Sequence, residues 1–197
     1  MNSMDETRQN GELVIISGPS GVGKTSVLKQ LFGQCELPLV ESVSATTRPK
    51  RPGETEGVSY YYLTQKEFDQ KKEQGEFLEF CEVFGRGYWY GTLNAPVRRS
   101  LDSGNWMVLE IDVEGAQKVL NHYPDAITIF IHPGSEEELE RRLRGRKTET
   151  EDSLTRRLEV ARKELEASSN YQHIVINESV EQTATDICQL LKQAEKN

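Results

Sequence analysis

Between Leu13 and Phe32 the chain passes from a short apolar run, Leu13 to Ser17, through a glycine-rich turn into residues at helical spacing. No other feature restricts the fold as much. An apolar run without alternation suits a strand covered on both faces of a parallel sheet. The turn, Gly18-Pro19-Ser20-Gly21-Val22-Gly23-Lys24-Thr25, fits the phosphate-binding pattern GxxxxGK[ST]. Backbone N–H groups must ring phosphate oxygens there, and only glycine lets the chain curl so tightly. The following helix, with Val27, Leu28, Leu31 and Phe32 on its apolar side, points its N-terminus at the same anion. Lys24 then reaches the outer phosphates, and the Thr25 hydroxyl can hold Mg²⁺. The bland alternative is a glycine-rich turn with a chance lysine; the strand before and the helix after argue against it.

Three further apolar runs, Met107 to Ile111, Ile127 to Ile131 and Ile174 to Ile176, read as strands of the same sheet. Helical patterns between them mark an α/β domain. Ser135 with Glu138 forms a capping box ahead of Leu139 and Leu143. Thr148 with Glu151 forms another ahead of Leu154, Leu158, Ala161 and Leu165, one apolar stripe. Val180 to Ala194 reads as a closing helix. The middle differs: from Arg48 to Thr92 the chain carries most of its Tyr and Phe, with Gly and Pro punctuation. Tyr60 to Leu63 and Phe77 to Phe84 read as strands, and Gly85-Arg86-Gly87 as a turn into Tyr88 to Thr92. Thr64 with Glu67 caps a short helix between them. The expected organisation is a flexible segment 1–10 and one domain over 11–192. Its core spans 11–45 and 93–192, with a small α+β lobe inserted at 46–92 and a helical lid at 136–165.

With 197 residues the chain can bury one core plus a small lobe. Residues 1–10 contain no apolar stretch typical of a secretion signal, and no run approaches a membrane span. A net charge of −8 disfavours broad nucleic-acid binding but not a small anion, because local arginines set the field in a cleft. Cys35, Cys81 and Cys188 are too few and too scattered for a disulfide framework or a zinc site; they read as core fillers or weakly exposed thiols. A reducing, cytoplasmic setting follows as the expectation.

Several residues remain ambiguous on their own physics. Arg48 and Arg51 lie in a Pro-rich segment beside Lys50, as a solvated basic loop or as bidentate phosphate ligands. Tyr60 and Tyr90 can be ordinary strand residues. In a regular strand Glu79 shares a face with Phe77 and Cys81, and Glu82 with Leu78 and Phe80, so alternation does not choose between the two carboxylates. On a helical wheel with the Leu154–Leu165 stripe inward, Arg156 points to solvent and Arg157 lies on the flank, where it can reach a cleft.

Five blocks in order resemble the guanylate kinase family over nearly the whole length: the loop in its GPSGxGK[ST] form, Ser42 to Glu54 with Gly57 and Tyr60, Gly75 to Glu79 with Tyr90-Gly91-Thr92, Ile111-Asp112 with Gly115, and Arg142 to Arg157. The resemblance implies a P-loop core with a parallel sheet flanked by helices, an inserted GMP-binding lobe and a helical lid. It implies transfer of the γ-phosphoryl group of ATP to GMP, with Mg²⁺ accompanying ATP. Residues matching Arg48, Arg51, Tyr60 and Tyr90 would hold the GMP phosphate, with Glu54 in the same segment. Those matching Ser44, Glu79 and Thr92 would read guanine, with Asp112 beside them. Arg142, Arg146 and Arg157 would close on the ATP phosphates alongside Lys24, and Asn177 would lie near adenine. Glu110 stands where the family commonly has aspartate, and the segment between Phe84 and Tyr90 is about two residues longer than the family form. No obligatory protein partner is expected. A non-catalytic scaffold module of the same family usually has a damaged loop and neighbouring domains, and neither is expected here. A kinase of this fold for another small acceptor is opposed by the Ser44 to Glu54 block.

Overall fold

The computed structural model describes residues 11–82, 87–144 and 151–196, excepting the side chains of 151–153. Segment 1–10, the Gly85-Arg86 part of the expected turn, Arg146 and the Thr148 cap lie outside the described residues. The chain runs β1 (Leu13–Ser17), α1 (Lys24–Gln34), β2 (Leu39–Glu41), β3 (Ala45–Thr46), β4 (Tyr61–Tyr62), α2 (Gln65–Glu73) and β5 (Phe77–Glu82). It continues through β6 (Trp89–Leu93), α3 (Asn94–Asp102), β7 (Trp106–Glu110), α4 (Val113–Leu120), β8 (Ile127–His132), α5 (Glu136–Arg144) and α6 (Glu151–Glu166). A 3-10 turn (Ala167–Asn170), β9 (His173–Ile176) and α7 (Val180–Ala194) complete it. Strand order is β2-β7-β1-β8-β9 in a five-stranded sheet and β4-β3-β6-β5 in a four-stranded one. Two compact units divide the chain: one of residues up to Leu13 and Pro38–Val108, the other of Val14–Leu37 and Leu109–Asn197.

In the second unit, β1, β8 and β9 pair in parallel, with Val14 opposite Ile127 and Ile129 opposite His173. Every residue of β1 is buried, as its unbroken apolar run requires. Leu139 and Leu143 of α5 pack with Leu154 and Ala161 of α6, and Leu158 and Leu165 extend the stripe. Ser135 caps α5 by accepting from the Glu138 N–H. Ser179 caps α7 by accepting from the Gln182 N–H.

The first unit wraps its smaller sheet around α2, whose capping box forms as the sequence predicts, Thr64 accepting from the Glu67 N–H. Phe68 of α2 stacks on Phe77 with ring centroids 4.4 Å apart, and Ala45, Phe80, Trp89 and Leu93 close around it. One face of β3-β6-β5 is therefore dry.

Two expectations change. Cys35 and Cys188 are not separate thiols: they form a disulfide, with Cα atoms 5.7 Å apart and 153 residues between them in sequence. Cys35 ends α1 and Cys188 lies on the buried side of α7, so the packing of two remote helices creates the pair. The second concerns β5, whose pairing with β6 shifts register between Phe77 and Glu79. That bulge breaks strict alternation. Phe77 and Phe80 both face Phe68, so Phe77 does not share a face with Glu79. The short strands β2 and β3, of three and two residues, and helices α3 and α4 had no distinct signature in the sequence reading.

Candidate functional site

The phosphate loop is shaped by what packs behind it. Gly21 and Gly23 hold φ of 91° and 100°, in the left-handed region. A Cβ on Gly21 would lie 2.6 Å from Leu143 Cδ2, and one on Gly23 2.8 Å from Asn177 Nδ2. Glycine is thus required by both conformation and space. Gly23 caps α1 without a side-chain hydrogen bond, and the first turn of α1 carries no acid. The helix therefore presents its N-terminal amides and the positive end of its dipole to whatever anion the loop receives.

Asn177, 3% exposed, donates from Nδ2 to the Val22 carbonyl at 2.7 Å and accepts from Thr183 Oγ1 at 3.1 Å. Its side chain holds the loop. Arg142 does so too: Nη1 donates to Val22 O at 3.0 Å, Nη2 to Asn177 O at 2.7 Å, and Nε to Glu138 Oε1 at 2.6 Å. Arg157 reaches the other side of the loop, with Nη2 2.8 Å from Ser20 Oγ, while Arg156 is exposed. The helical-wheel distinction between these two arginines matches this placement.

Lys24 Nζ donates to the carbonyls of Gly18 and Pro19, folded back on its own loop. Burial pushes its pKa down, opposed by the charges of Glu110, Glu164 and Asp112. Glu110 ends β7, and its Oε1 accepts from Thr25 Oγ1 at 3.4 Å. Burial pushes its pKa up, against Lys24 and Thr25. Asp112 is the N-cap of α4, accepting from the Gly115 N–H at 2.7 Å, and belongs to the unit that contains the phosphate loop.

In the first unit the polar counterpart of the dry face is a row of side chains. Thr92 stands opposite Glu79, and Tyr90 opposite both Thr46 and Cys81. Ala45 pairs with Gly91, so continuing the register by one residue sets Ser44 level with Thr92. Ser44, Thr92 and Glu79 therefore lie in line across three strands, with Tyr90 two residues along on the same face. Glu79 is 6% exposed and accepts from Thr92 Oγ1 at 2.7 Å. Glu82, exposed, accepts from the Gly87 N–H.

Arg48, 7% exposed, is held at the end of this row. Its Nε donates to the Tyr90 hydroxyl at 3.1 Å, and Nη1 and Nη2 donate to Glu54 at 3.1 and 2.7 Å. The guanidinium also lies 5.3 Å from the centre of the Tyr60 ring. Glu54 takes further bonds from the Arg51 N–H and the Tyr62 hydroxyl, at 2.8 and 2.6 Å. These donors, Arg48 foremost, draw its pKa down to about 2. Glu54 thus belongs to the arginine's setting, since a carboxylate cannot itself receive phosphate. Arg51 is exposed beside it.

Two residues escaped the sequence reading. Tyr62 shares Glu54 with Arg48, and the charge of Glu164 on α6 acts on Lys24. The second was discoverable: it lies seven residues after Arg157, two turns along one helical face.

Residues 10–194 match a family model described as guanylate kinase. A guanylate kinase of Rhodopirellula baltica is 53% identical over 197 residues, covering 99% of this chain and 94% of its own. One of Fusobacterium nucleatum is 41% identical over 186 residues, covering 94% and 98%. The crystal structure of guanylate kinase from Anaplasma phagocytophilum superposes with a TM-score of 0.72 at 32% identity, over 96% of this chain and 88% of that one.

Proposed function

The chain belongs to the guanylate kinase family, and on that premise we propose that it makes GDP and ADP from GMP and ATP using the two sets of side chains described above. The observation that carries the acceptor is Glu79, a buried carboxylate in line with Ser44 and Thr92. Guanine offers N1–H and an N2 amine side by side, two donors that one carboxylate accepts; adenine has no donor at either place. Arg48, held by Glu54 and Tyr90, would take the GMP phosphate together with Arg51 and Tyr60. Gly18 to Thr25 would take the ATP phosphates. An oxygen of the GMP phosphate attacks the γ-phosphorus, the bond to the β,γ-bridging oxygen breaks, and ADP leaves with that electron pair. No protein nucleophile is needed, so catalysis is positioning plus neutralisation of charge by Lys24 and Arg157. Arg142 contributes by bracing the loop.

Mg²⁺ fits the residues present. Thr25 Oγ1 and the Glu110 carboxylate are hard oxygen donors 3.4 Å apart beside the loop. The described residues contain no group of three or more His, Cys, Asp or Glu that could hold a metal. Mg²⁺ commonly takes one or two protein oxygens and completes its shell with water and nucleotide phosphate. Thr25 and Glu110 would hold it, and when bound it would neutralise phosphate oxygens. The cytoplasm is the proposed compartment, since both nucleotides are made and used there. No described helix is long and apolar enough to cross a membrane.

The test is ADP production from Mg–ATP with GMP, dGMP, AMP, CMP, UMP and sugar phosphates in turn. GMP should exceed AMP in kcat/KM by at least about a hundredfold, given about 1.5 to 3 kcal/mol for each hydrogen bond to a charged group. Equal turnover of GMP and AMP, or a faster sugar phosphate, would sink the acceptor assignment.

A further inference from the structure

Three tyrosines, Tyr60, Tyr62 and Tyr90, surround the Arg48 guanidinium. β4 pairs in parallel with β3, which sets Tyr62 level with Thr46 and Tyr61 level with Ala45. Ala45 and Tyr61 pack on the dry side around Phe68, so alternation turns Tyr62 to the polar face. Tyr90 stands level with Thr46 on its other flank, and Tyr62 and Tyr90 therefore share one row across three strands. The Tyr60 and Tyr62 rings meet edge to face with centroids 6.0 Å apart, and the guanidinium lies 5.3 and 6.0 Å from their centres. The Tyr62 hydroxyl donates to Glu54 Oε2 at 2.6 Å, the length of a charge-assisted O–H···O⁻ bond. That oxygen also accepts from Arg48 Nη1 at 3.1 Å and the Arg51 N–H at 2.8 Å, while Oε1 accepts from Arg48 Nη2 at 2.7 Å. Burial and the Glu54 carboxylate push the Tyr62 pKa up to about 12, so the hydroxyl stays a donor through the neutral range.

We propose that Tyr62 is a positioning residue for the acceptor's phosphate, acting through Glu54 on the Arg48 guanidinium. The terminal torsion of a glutamate is soft, and the short bond from Tyr62 holds the Glu54 carboxylate plane in place. A guanidinium paired to that carboxylate by two bonds takes its plane from it. Arg48 is thus oriented before a phosphate arrives, and an arginine already fixed loses less freedom on binding. Without the hydroxyl, Arg48 keeps its charge but presents it less sharply. This role rests on Arg48 as the ligand of the GMP phosphate. It does not involve the base, because Tyr62 lies in the row of Tyr90 and not in that of Ser44, Thr92 and Glu79.

The experiment compares wild type, Tyr62→Phe and, as a control on the opposite face of β4, Tyr61→Phe, with thermal unfolding as the check on fold. Calorimetry measures the affinity for GMP and for guanosine, which has the same base and sugar but no phosphate. Tyr62→Phe should bind GMP about threefold to tenfold more weakly, the span of one hydrogen bond's net contribution, and should bind guanosine as wild type does. In steady state the KM for GMP should rise by the same factor while kcat stays within about twofold. The preference for GMP over AMP should not change, since both carry the phosphate. Tyr61→Phe should match wild type. Unchanged GMP affinity in Tyr62→Phe overturns the proposal, and so does an equal loss for guanosine, which would mark a general distortion of the lobe. A wild-type protein that binds guanosine as tightly as GMP would instead overturn Arg48 as the phosphate ligand.

Discussion

Thr92 Oγ1 donates to Glu79 Oε1 at 2.7 Å, and the two residues are 1% and 6% exposed. The hydroxyl fixes the plane of a carboxylate that the sheet has removed from water. Such a charge is stable only when donors meet it.

Glu79→Gln should lower kcat/KM for GMP by about a hundredfold or more, because an amide presents one acceptor and sets its own N–H groups against a donor of the base. Discrimination against AMP should shrink in parallel. Glu82→Gln, at an exposed position, should stay within about threefold of wild type. The comparison is kcat/KM for both nucleotides in the three proteins. A collapse of discrimination in the Glu82 variant alone would move base recognition to that residue.

Glu54 orients Arg48 by two hydrogen bonds. Replacing it by glutamine should raise the KM for GMP about tenfold and change kcat less, since the guanidinium stays but loses its fixed plane. The acid dependence carries a sign. The Glu54 pKa falls from 4.5 to about 2 on folding, so its stabilisation is complete above about pH 4.5 and is lost as pH falls toward 2. Thermal unfolding from pH 7 to 2 should show wild type more stable than Glu54→Gln near neutrality, with the gap narrowing below pH 4.5. A gap constant down to pH 2 would show that the pairing contributes no pH-dependent stability.

Arg157→Ala should reduce kcat about a hundredfold with little change in the KM for GMP, as expected for a cation that meets the transferring group. Arg156→Ala should remain within about twofold. Steady-state kinetics of the two variants, one residue apart on α6, decide it. Equal losses would detach Arg157 from the phosphate loop.

The Cys35–Cys188 bridge ties α1 to α7. Closing a long loop restricts the unfolded chain, and bridges of this kind typically contribute about 2 to 4 kcal/mol. Reduction, or Cys188→Ser, should lower Tm by about 4 to 16 °C for a chain of this length. Calorimetry with and without a dithiol measures it. An unchanged Tm would show that the packing of α1 on α7 alone supplies the stability. Bridges are rare in a reducing compartment, so the same measurement says whether the fold persists there without it.

What the sequence determined by itself are the features whose cause lies within a few residues. The buried run Leu13 to Ser17, the glycine curl and the helix behind it are adjacent, so the strand, phosphate loop and helix were legible as one unit. The Thr64–Glu67 capping box and the stripe from Leu154 to Leu165 span one to three helical turns and formed as read. At Ser135, by contrast, only the serine half of the box forms, the Glu138 carboxylate turning to Arg141 and Arg142. The flank position of Arg157 followed from the same helical period. The resemblance to guanylate kinases extended that reading to residues whose own chemistry left them open.

Only the tertiary structure could decide matters that depend on partners far away in the chain. The bulge at Phe77–Glu79 exists because β5 pairs with β6, and it seals Glu79 while leaving Glu82 in water. Asn177 and Arg142 hold the loop because β9 and α5 bring them to the Val22 carbonyl. Cys35 meets Cys188 across 153 residues. Periodicity and turn chemistry report the local backbone, whereas burial, ion pairing and desolvation depend on every group that packs nearby, and the folded chain alone assembles those groups.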